Sequence, residues 1–112
     1  MIINQLNRYL PPKVYHAKIV DGSFTPVVLL NTTGVTVSCS NQSGHYKFTF
    51  SSAILNDKTS VVVSTNAPDL GQGATWTING WKQSTTEIVV KPYDTTSGGA
   101  DGVGFEVIVT IF

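Results

Sequence analysis

Charged side chains are scarce in this sequence of 112 residues, and those that occur are balanced in sign. Lys, Arg, Asp and Glu together make up 12% of the chain, about half the share found in an ordinary globular domain. Seven basic residues, six of them lysines, stand against seven acidic ones, and the basic residues form no run. Because nucleic acids and anionic membranes attract proteins through clustered positive charge, we expect neither as a partner.

Cysteines and long apolar runs are also lacking. Cys39 is the only cysteine, which excludes a disulfide within the chain. It alternates with Val35 and Val37 and so falls on the apolar face of a strand, where a buried structural thiol is far commoner than a nucleophile. No apolar run approaches the ~20 residues of a membrane-spanning helix, and the stretch after residue 13 contains no convincing helical pattern.

The residues that are abundant are those of a β-sheet protein. Valine and threonine each occur fourteen times, and both favour strands over helices. Several short runs alternate apolar and polar residues, with Tyr46, Phe48 and Phe50 as the clearest example, and Gly, Asn and Ser cluster between the runs. We predict an all-β fold, an antiparallel β-sandwich of about eight strands and jelly-roll-like type, over residues 14–112. Alternation leaves the strand order open.

Residues 1–13 form a predicted N-terminal arm that differs from the rest of the chain. The sequence MIINQLNRYL places apolar residues at helical spacing, and Pro11-Pro12 then ends any helix. Ten residues are too few for a helix that is stable alone. Two interpretations stay open, a frayed terminus or an arm that orders by docking on another protein or a sister subunit. We favour docking because five of the residues are large and apolar: Ile2, Ile3, Leu6, Tyr9 and Leu10.

Three predicted strands are apolar on both faces, namely residues 27–30, 88–90 and 105–112. A two-layer sandwich of this size buries only one face of each sheet. We therefore expect other copies of the chain to cover the second face of these strands. The residues predicted to lie at the subunit interface are Val27, Leu29, Ile88, Val90, Ile108 and Phe112.

Groups that could perform catalysis are sparse. His16 and His45 lie on different predicted strands, the carboxylates are scattered singly, and no Ser or Cys lies in a nucleophile motif. We predict a protein that is not an enzyme and has no catalytic residue, no cofactor and no metal. The glycine-rich stretch between Asp94 and Asp101 resembles a calcium loop only loosely, since it lacks the spacing of known loops, and a plain hairpin loop is the favoured interpretation.

Two aromatic residues are candidates for contact with a ligand. Asn79-Gly80 predicts a two-residue turn, and Trp81 directly after it would be exposed, whereas Trp76 is in phase with Ile78 and favours the core. Exposed tryptophans on β-sandwiches can stack on sugar rings. A carbohydrate-binding module that recognises host surface glycans is therefore the alternative function, with Trp81 and Tyr93 as its candidate contacts.

A characteristic set of turn and core residues is distributed over residues 14–112: Leu29, Asn31, Thr32, Gly34, Gly44, Tyr46, Phe50, Lys58, Thr59, Asn66, Tyr93, Asp94 and Asp101. Together they resemble a small β domain found at the ends of fibre and appendage proteins of Bacteroidetes phages and prophages, including crAss-like phages. The corner at residues 54–57 is more polar than the aromatic-rich corner of that family. Residues 1–13 stand where such proteins usually have a long shaft.

This resemblance implies a trimeric structural protein exposed on the virion, a tail-fibre or head-fibre domain that serves host attachment and is assembled in the cytoplasm of the bacterial host. The short N-terminal segment favours a head fibre, anchored by its arm to the capsid or to a partner fibre protein. The expected partners are thus copies of the chain itself and other virion proteins, and a host surface glycan is the partner expected under the alternative function.

Overall fold

A computed structural model of the chain describes residues 11–20, 25–42, 44–65, 76–94, 98–99 and 104–112. Every regular element within these residues is a β-strand, and every strand pairing is antiparallel. The strands are β1 (Lys13–Ile19), β2 (Val27–Asn31), β3 (Val37–Asn41), β4 (Tyr46–Phe50), β5 (Thr59–Thr65), β6 (Trp76–Lys82), β7 (Glu87–Asp94), β8 (Gly98–Gly99) and β9 (Phe105–Ile111).

Eight of these strands form two sheets of four that pack face to face. Sheet 1 has the order β2-β1-β9-β5, and sheet 2 has the order β3-β4-β7-β6, with the two-residue strand β8 added to β7. Hairpin neighbours β1–β2, β3–β4 and β6–β7 stay within one sheet, whereas the chain changes sheets from β2 to β3, from β4 to β5, from β5 to β6 and from β8 to β9. The predicted all-β antiparallel sandwich of about eight strands is confirmed.

The core lies between the sheets and consists of the residues that alternate inward along the central strands. In β4 the buried residues are Tyr46, Phe48 and Phe50, and β1 and β9 follow the same pattern of every second residue. Val35, Val37 and Cys39 pack against this core from the half-buried strand β3 and the segment before it. The buried hydrophobic residues are Tyr15, Ala17, Ile19, Tyr46, Phe48, Phe50, Leu55, Ile88, Val90, Phe105, Val107, Val109 and Ile111.

Aromatic rings occupy the centre of this core. Tyr15 of sheet 1 meets Phe48 and Phe50 of sheet 2 edge to face, with ring centroids 6.1 and 5.6 Å apart. The Tyr15 hydroxyl is buried and makes no hydrogen bond to any described residue. Burial raises the pKa of Tyr15 to about 12, with a smaller contribution from Cys39, and burial also raises the pKa of the Cys39 thiol to about 11. Both groups are therefore neutral at pH 7, and the Cys39 side chain, predicted to be buried, lies half-buried against the core.

Replacing Tyr15 by phenylalanine should stabilise the protein, because the variant keeps the edge-to-face rings and removes a buried hydroxyl without a partner. We expect Tyr15→Phe to raise the free energy of unfolding by about 1 kcal/mol at pH 7, measured by urea denaturation. Tyr93→Phe, which removes an exposed hydroxyl, should change it by less than about 0.5 kcal/mol.

The same variant should alter the response to alkali. A phenol whose pKa is about 12 in the folded state and 10.0 when unfolded favours folding below pH 10, and this contribution is lost as the pH rises through 10 toward 12. The corresponding stabilisation from the Cys39 thiol is lost at lower pH, as the pH rises through its ordinary pKa of 9.0 toward 11. Tyr15→Phe should therefore lose less stability between pH 10 and 12 than the wild type. A destabilised Tyr15→Phe would show that the hydroxyl has a hydrogen-bond partner.

The prediction of a two-residue turn at Asn79-Gly80 is wrong. Both residues lie inside β6, where Asn79 pairs with Lys91 and Gly80 pairs with Val90. The β6–β7 hairpin closes further on, where the Gln83 amide donates to the Glu87 carbonyl at 2.8 Å. Strand β7 also extends beyond the predicted strand 88–90, through Pro92 to Asp94.

The predicted arm lies almost wholly outside the described residues. Residues 1–10 are not described, and the first strand begins at Lys13, one residue before the predicted start of the sandwich. The β1 end at Lys13 pairs with Ile111 at the end of β9. Whether the arm docks on a partner thus stays a prediction.

Candidate functional site

The outer face of sheet 1 carries a row of aliphatic side chains. Strand register places Leu30 opposite His16, His16 opposite Ile108, and Ile108 opposite Val62, so that the four residues lie side by side across the whole sheet. Val62 is 57% exposed, Leu30 48% and Ile108 36%, and we call these three residues the apolar row. His16 interrupts the row, with its Nε2 atom 3.3 Å from Oε1 of Glu106.

Strand β2 extends this apolar surface to the edge of sheet 1. In the part of the chain that the structure describes, β2 pairs with β1 and has no strand on its other side. Its apolar residues 27–30 are all about half exposed, and a shift of register opposite His16 and Ala17 leaves Leu29 without a pairing partner in β1. A strand edge that is unpaired and has apolar side chains on both faces can pair with a strand of another protein chain.

For two of the six residues predicted to lie at the subunit interface, the prediction is wrong. Ile88 and Val90 are fully buried between the two sheets of one chain, so they cannot contact another subunit. Val89 between them points outward but is only 5% exposed, because its cross-strand neighbours Lys47 and Trp81 flank it. The second apolar face of β7 is thus covered by its own chain. The four remaining predicted interface residues are exposed, namely Val27, Leu29, Ile108 and Phe112.

The outer face of sheet 2 contains a groove beside Trp81. Lys47, Val89 and Trp81 form a row across β4, β7 and β6, because Val89 is the cross-strand partner of both other residues. The groove has a volume of about 270 Å³, and its lining residues are His45, Lys47, Trp81, Gln83, Val89 and Lys91.

The Trp81 indole is held in place while one side of it stays open. Its Nε1 atom donates a hydrogen bond of 2.9 Å to Oε1 of Gln83, two residues further along the chain and just beyond the end of β6. The side chain is 40% exposed. The arrangement presents an apolar ring with its polar edge already satisfied, next to the aliphatic Val89.

Two lysines line the groove beside this ring. Lys47 is partly neutralised, because its Nζ atom lies 3.4 Å from Oε2 of Glu87, whose other oxygen accepts a 3.3 Å hydrogen bond from Ser84. Lys91 is exposed, and it forms no salt bridge with any carboxylate of the described residues. The groove therefore combines two lysines and His45 with the Glu87 carboxylate beside Lys47.

Of the two predicted ligand contacts, the structure places one in the groove. Trp81 lines it, whereas Tyr93 is exposed on the same face of β7, two residues beyond Lys91, and does not line it. Sequence analysis missed His45, Lys47 and Lys91 as groove residues. Alternation in β4 and β7 puts both lysines on the outer face, but only the register of the two strands shows that they meet beside Trp81.

No metal centre is visible in the described part of the chain. Its residues hold no group of three or more His, Cys, Asp or Glu side chains that could bind a metal ion. The Asp94 side chain and Asp101, as well as the Trp76 side chain and the five apolar arm residues, lie outside what the structure describes. The described residues also include no helix long and apolar enough to cross a membrane.

Comparison of this chain with protein-family models, with curated proteins and with solved structures gives no match. A proposal of function therefore has to rest on the two surfaces themselves and on the resemblance carried by the turn and core residues.

Proposed function

We propose that this chain is a non-enzymatic structural protein of a phage particle, a homotrimeric fibre-type or head-fibre appendage domain that is displayed on the virion for host attachment. The observation that carries the assembly part of the proposal is the apolar row of Leu30, Ile108 and Val62 across the outer face of sheet 1. The phage context comes from the resemblance of residues 14–112 to appendage domains.

The position of the apolar residues favours a cyclic assembly. A ring of identical subunits needs two different surfaces on each copy that fit each other. The apolar row offers one surface, and the edge of β2 with Val28 and Leu29 offers a second one beside it. Covering a half-exposed Val, Leu or Ile side chain contributes about 1 kcal/mol, so burying both surfaces can offset the cost of ordering three chains. The N-terminal arm would then anchor the trimer to a capsid or fibre protein.

This proposal predicts the mass of the protein in solution. Sedimentation equilibrium of the full chain over a range of concentrations should give three times the 12.0 kDa of one chain. Val62→Lys should raise the dissociation constant by about 100-fold or more, because assembly would bury an unpaired ammonium group. The circular dichroism spectrum should be unchanged, since Val62 is exposed in the single chain.

Ser38→Lys is the matched control, because it adds the same charge at an exposed position of β3 in sheet 2. It should leave the trimer intact. A wild type that is monomeric at all concentrations would overturn the trimeric appendage, and a Val62→Lys variant that remains a trimer would remove the outer face of sheet 1 from the interface.

A second candidate function is supported by a separate observation. The half-exposed Trp81 indole, held by Gln83 beside polar side chains, has the character of a site that stacks on a sugar ring. We propose that the outer face of sheet 2 binds a carbohydrate, which would serve attachment to a host surface. The two functions are compatible because they use opposite faces of the sandwich.

A further inference from the structure

We infer that the groove on sheet 2 selects an acidic sugar, with a ring stacked on Trp81 and its carboxylate bound by Lys91 and His45. This inference rests on the carbohydrate-binding function proposed above and adds to it the chemical class of the ligand. It is carried by the composition of the groove, in which a partly exposed indole adjoins two lysines and a histidine.

The aromatic part of the groove suits a sugar ring. An indole presents a large apolar face, and pyranose rings carry apolar C–H groups on one side and hydroxyls on the rim. The hydrogen bond from Trp81 to Gln83 fixes the indole before any ligand binds, which lowers the entropy cost of binding. The open amide group of Gln83 and the buried Val89 floor add one polar and one apolar contact beside the ring.

The charge of the groove decides what kind of sugar it favours. A neutral sugar needs hydrogen-bond donors and acceptors in balance, whereas this groove offers mainly N–H donors, two of which are lysine ammonium groups. Lys47 already has Glu87 as a partner, so Lys91 is the cation that a ligand carboxylate can pair with at least cost. Charge-assisted hydrogen bonds of this kind are about twice as strong as neutral ones.

The size of the groove fits one unit of a longer chain. Sites for whole drug-sized ligands enclose roughly 300 to 1,000 Å³, and this groove has about 270 Å³. It is therefore suited to a single acidic residue of a polysaccharide that passes over the surface. A single-stranded nucleic acid could use the same stacking and charge, but the balanced charge of the chain and its lack of a basic run argue against it.

Matched acidic and neutral probes test the inference. Isothermal titration calorimetry of the full chain would compare a galacturonic acid trisaccharide and a hyaluronan tetrasaccharide with their methyl esters, which keep the rings and remove the charge. We expect each acid to bind about tenfold more tightly than its ester. Trp81→Ala should abolish binding of acids and esters alike, whereas Lys91→Gln should remove only the preference for the acid.

Lys18→Gln is the control, because it removes one lysine from the opposite face of the sandwich. Lys18 lies on sheet 1, where strand register places it opposite Glu106. It should leave both affinities unchanged. Equal binding of acid and ester, lost in Trp81→Ala, would overturn the acidic ligand while the carbohydrate-binding function stands. No binding of either pair at millimolar concentration would overturn both. If oligothymidylate bound more tightly than the acidic sugars, the ligand of the groove would be a single-stranded nucleic acid and not an acidic sugar.

Discussion

Phe48→Ala should lower the free energy of unfolding by about 3 to 5 kcal/mol, a large part of the total stability of a domain of this size. Phe48 is fully buried. Its ring meets those of Tyr15 and Phe105 edge to face, with ring centroids 6.1 and 6.3 Å apart. It thus joins sheet 2 to two strands of sheet 1. Truncation removes both ring contacts and leaves a cavity that the two sheets cannot close without moving together.

Urea denaturation of the wild type, Phe48→Ala and Phe48→Leu at one fixed protein concentration would test this expectation, since assembly adds to the measured stability. Phe48→Leu keeps most of the volume and should lose clearly less stability than the alanine variant. Similar losses in the two variants, or a loss under about 1 kcal/mol for Phe48→Ala, would mean that this ring does not fill the space between the sheets.

The inward-facing residues of the sandwich could be predicted from the sequence because strand periodicity has a simple physical cause. Successive side chains in a strand point to opposite faces, so the alternation of Tyr46, Phe48 and Phe50 determined their burial without knowledge of the neighbouring strands. Cys39 followed the same rule and lies against the core. Burial predicted from the alternation within a single strand was therefore reliable.

Predictions that depended on neighbouring strands were less reliable. The apolar run at residues 88–90 indicated a surface covered by another subunit, yet Val89 is covered by Lys47 and Trp81 of the same chain. These two residues lie on the strands to either side of β7, and periodicity contains no information about strand order or register. The groove could not be predicted for the same reason, although Trp81 itself was identified.

Gly80 shows a different kind of error, in which a local signal was overruled by the sheet. The Asn-Gly pair is the strongest short turn signal because both residues tolerate positive φ. In this chain the pair lies within β6, which forms the edge of sheet 2 and packs against β5 at the edge of sheet 1. A side chain at residue 80 would point toward Val61 and Val63. The glycine is thus explained by the close approach of two sheet edges.

Gly80→Ala should therefore destabilise the protein, although glycine inside a strand is ordinarily unfavourable and its replacement would by itself be stabilising. A Cβ atom at this position would lie 2.8 Å from Cγ1 of Val63 and 2.9 Å from Cγ1 of Val61. β-branched valines in a strand have little rotamer freedom with which to move away. We expect a loss of about 1 to 3 kcal/mol for Gly80→Ala and a larger loss for Gly80→Val, measured by urea denaturation.

A double-mutant cycle with Val63→Ala separates the clash from other effects. Val63→Ala removes the nearest methyl group, so Gly80→Ala should cost clearly less in that background, with a coupling energy of about 1 kcal/mol or more. Asn79→Ala, an exposed change at the neighbouring position, should cost less than about 0.5 kcal/mol. A stabilised Gly80→Ala variant would show that strand propensity outweighs the contact, and that β5 and β6 have room to separate.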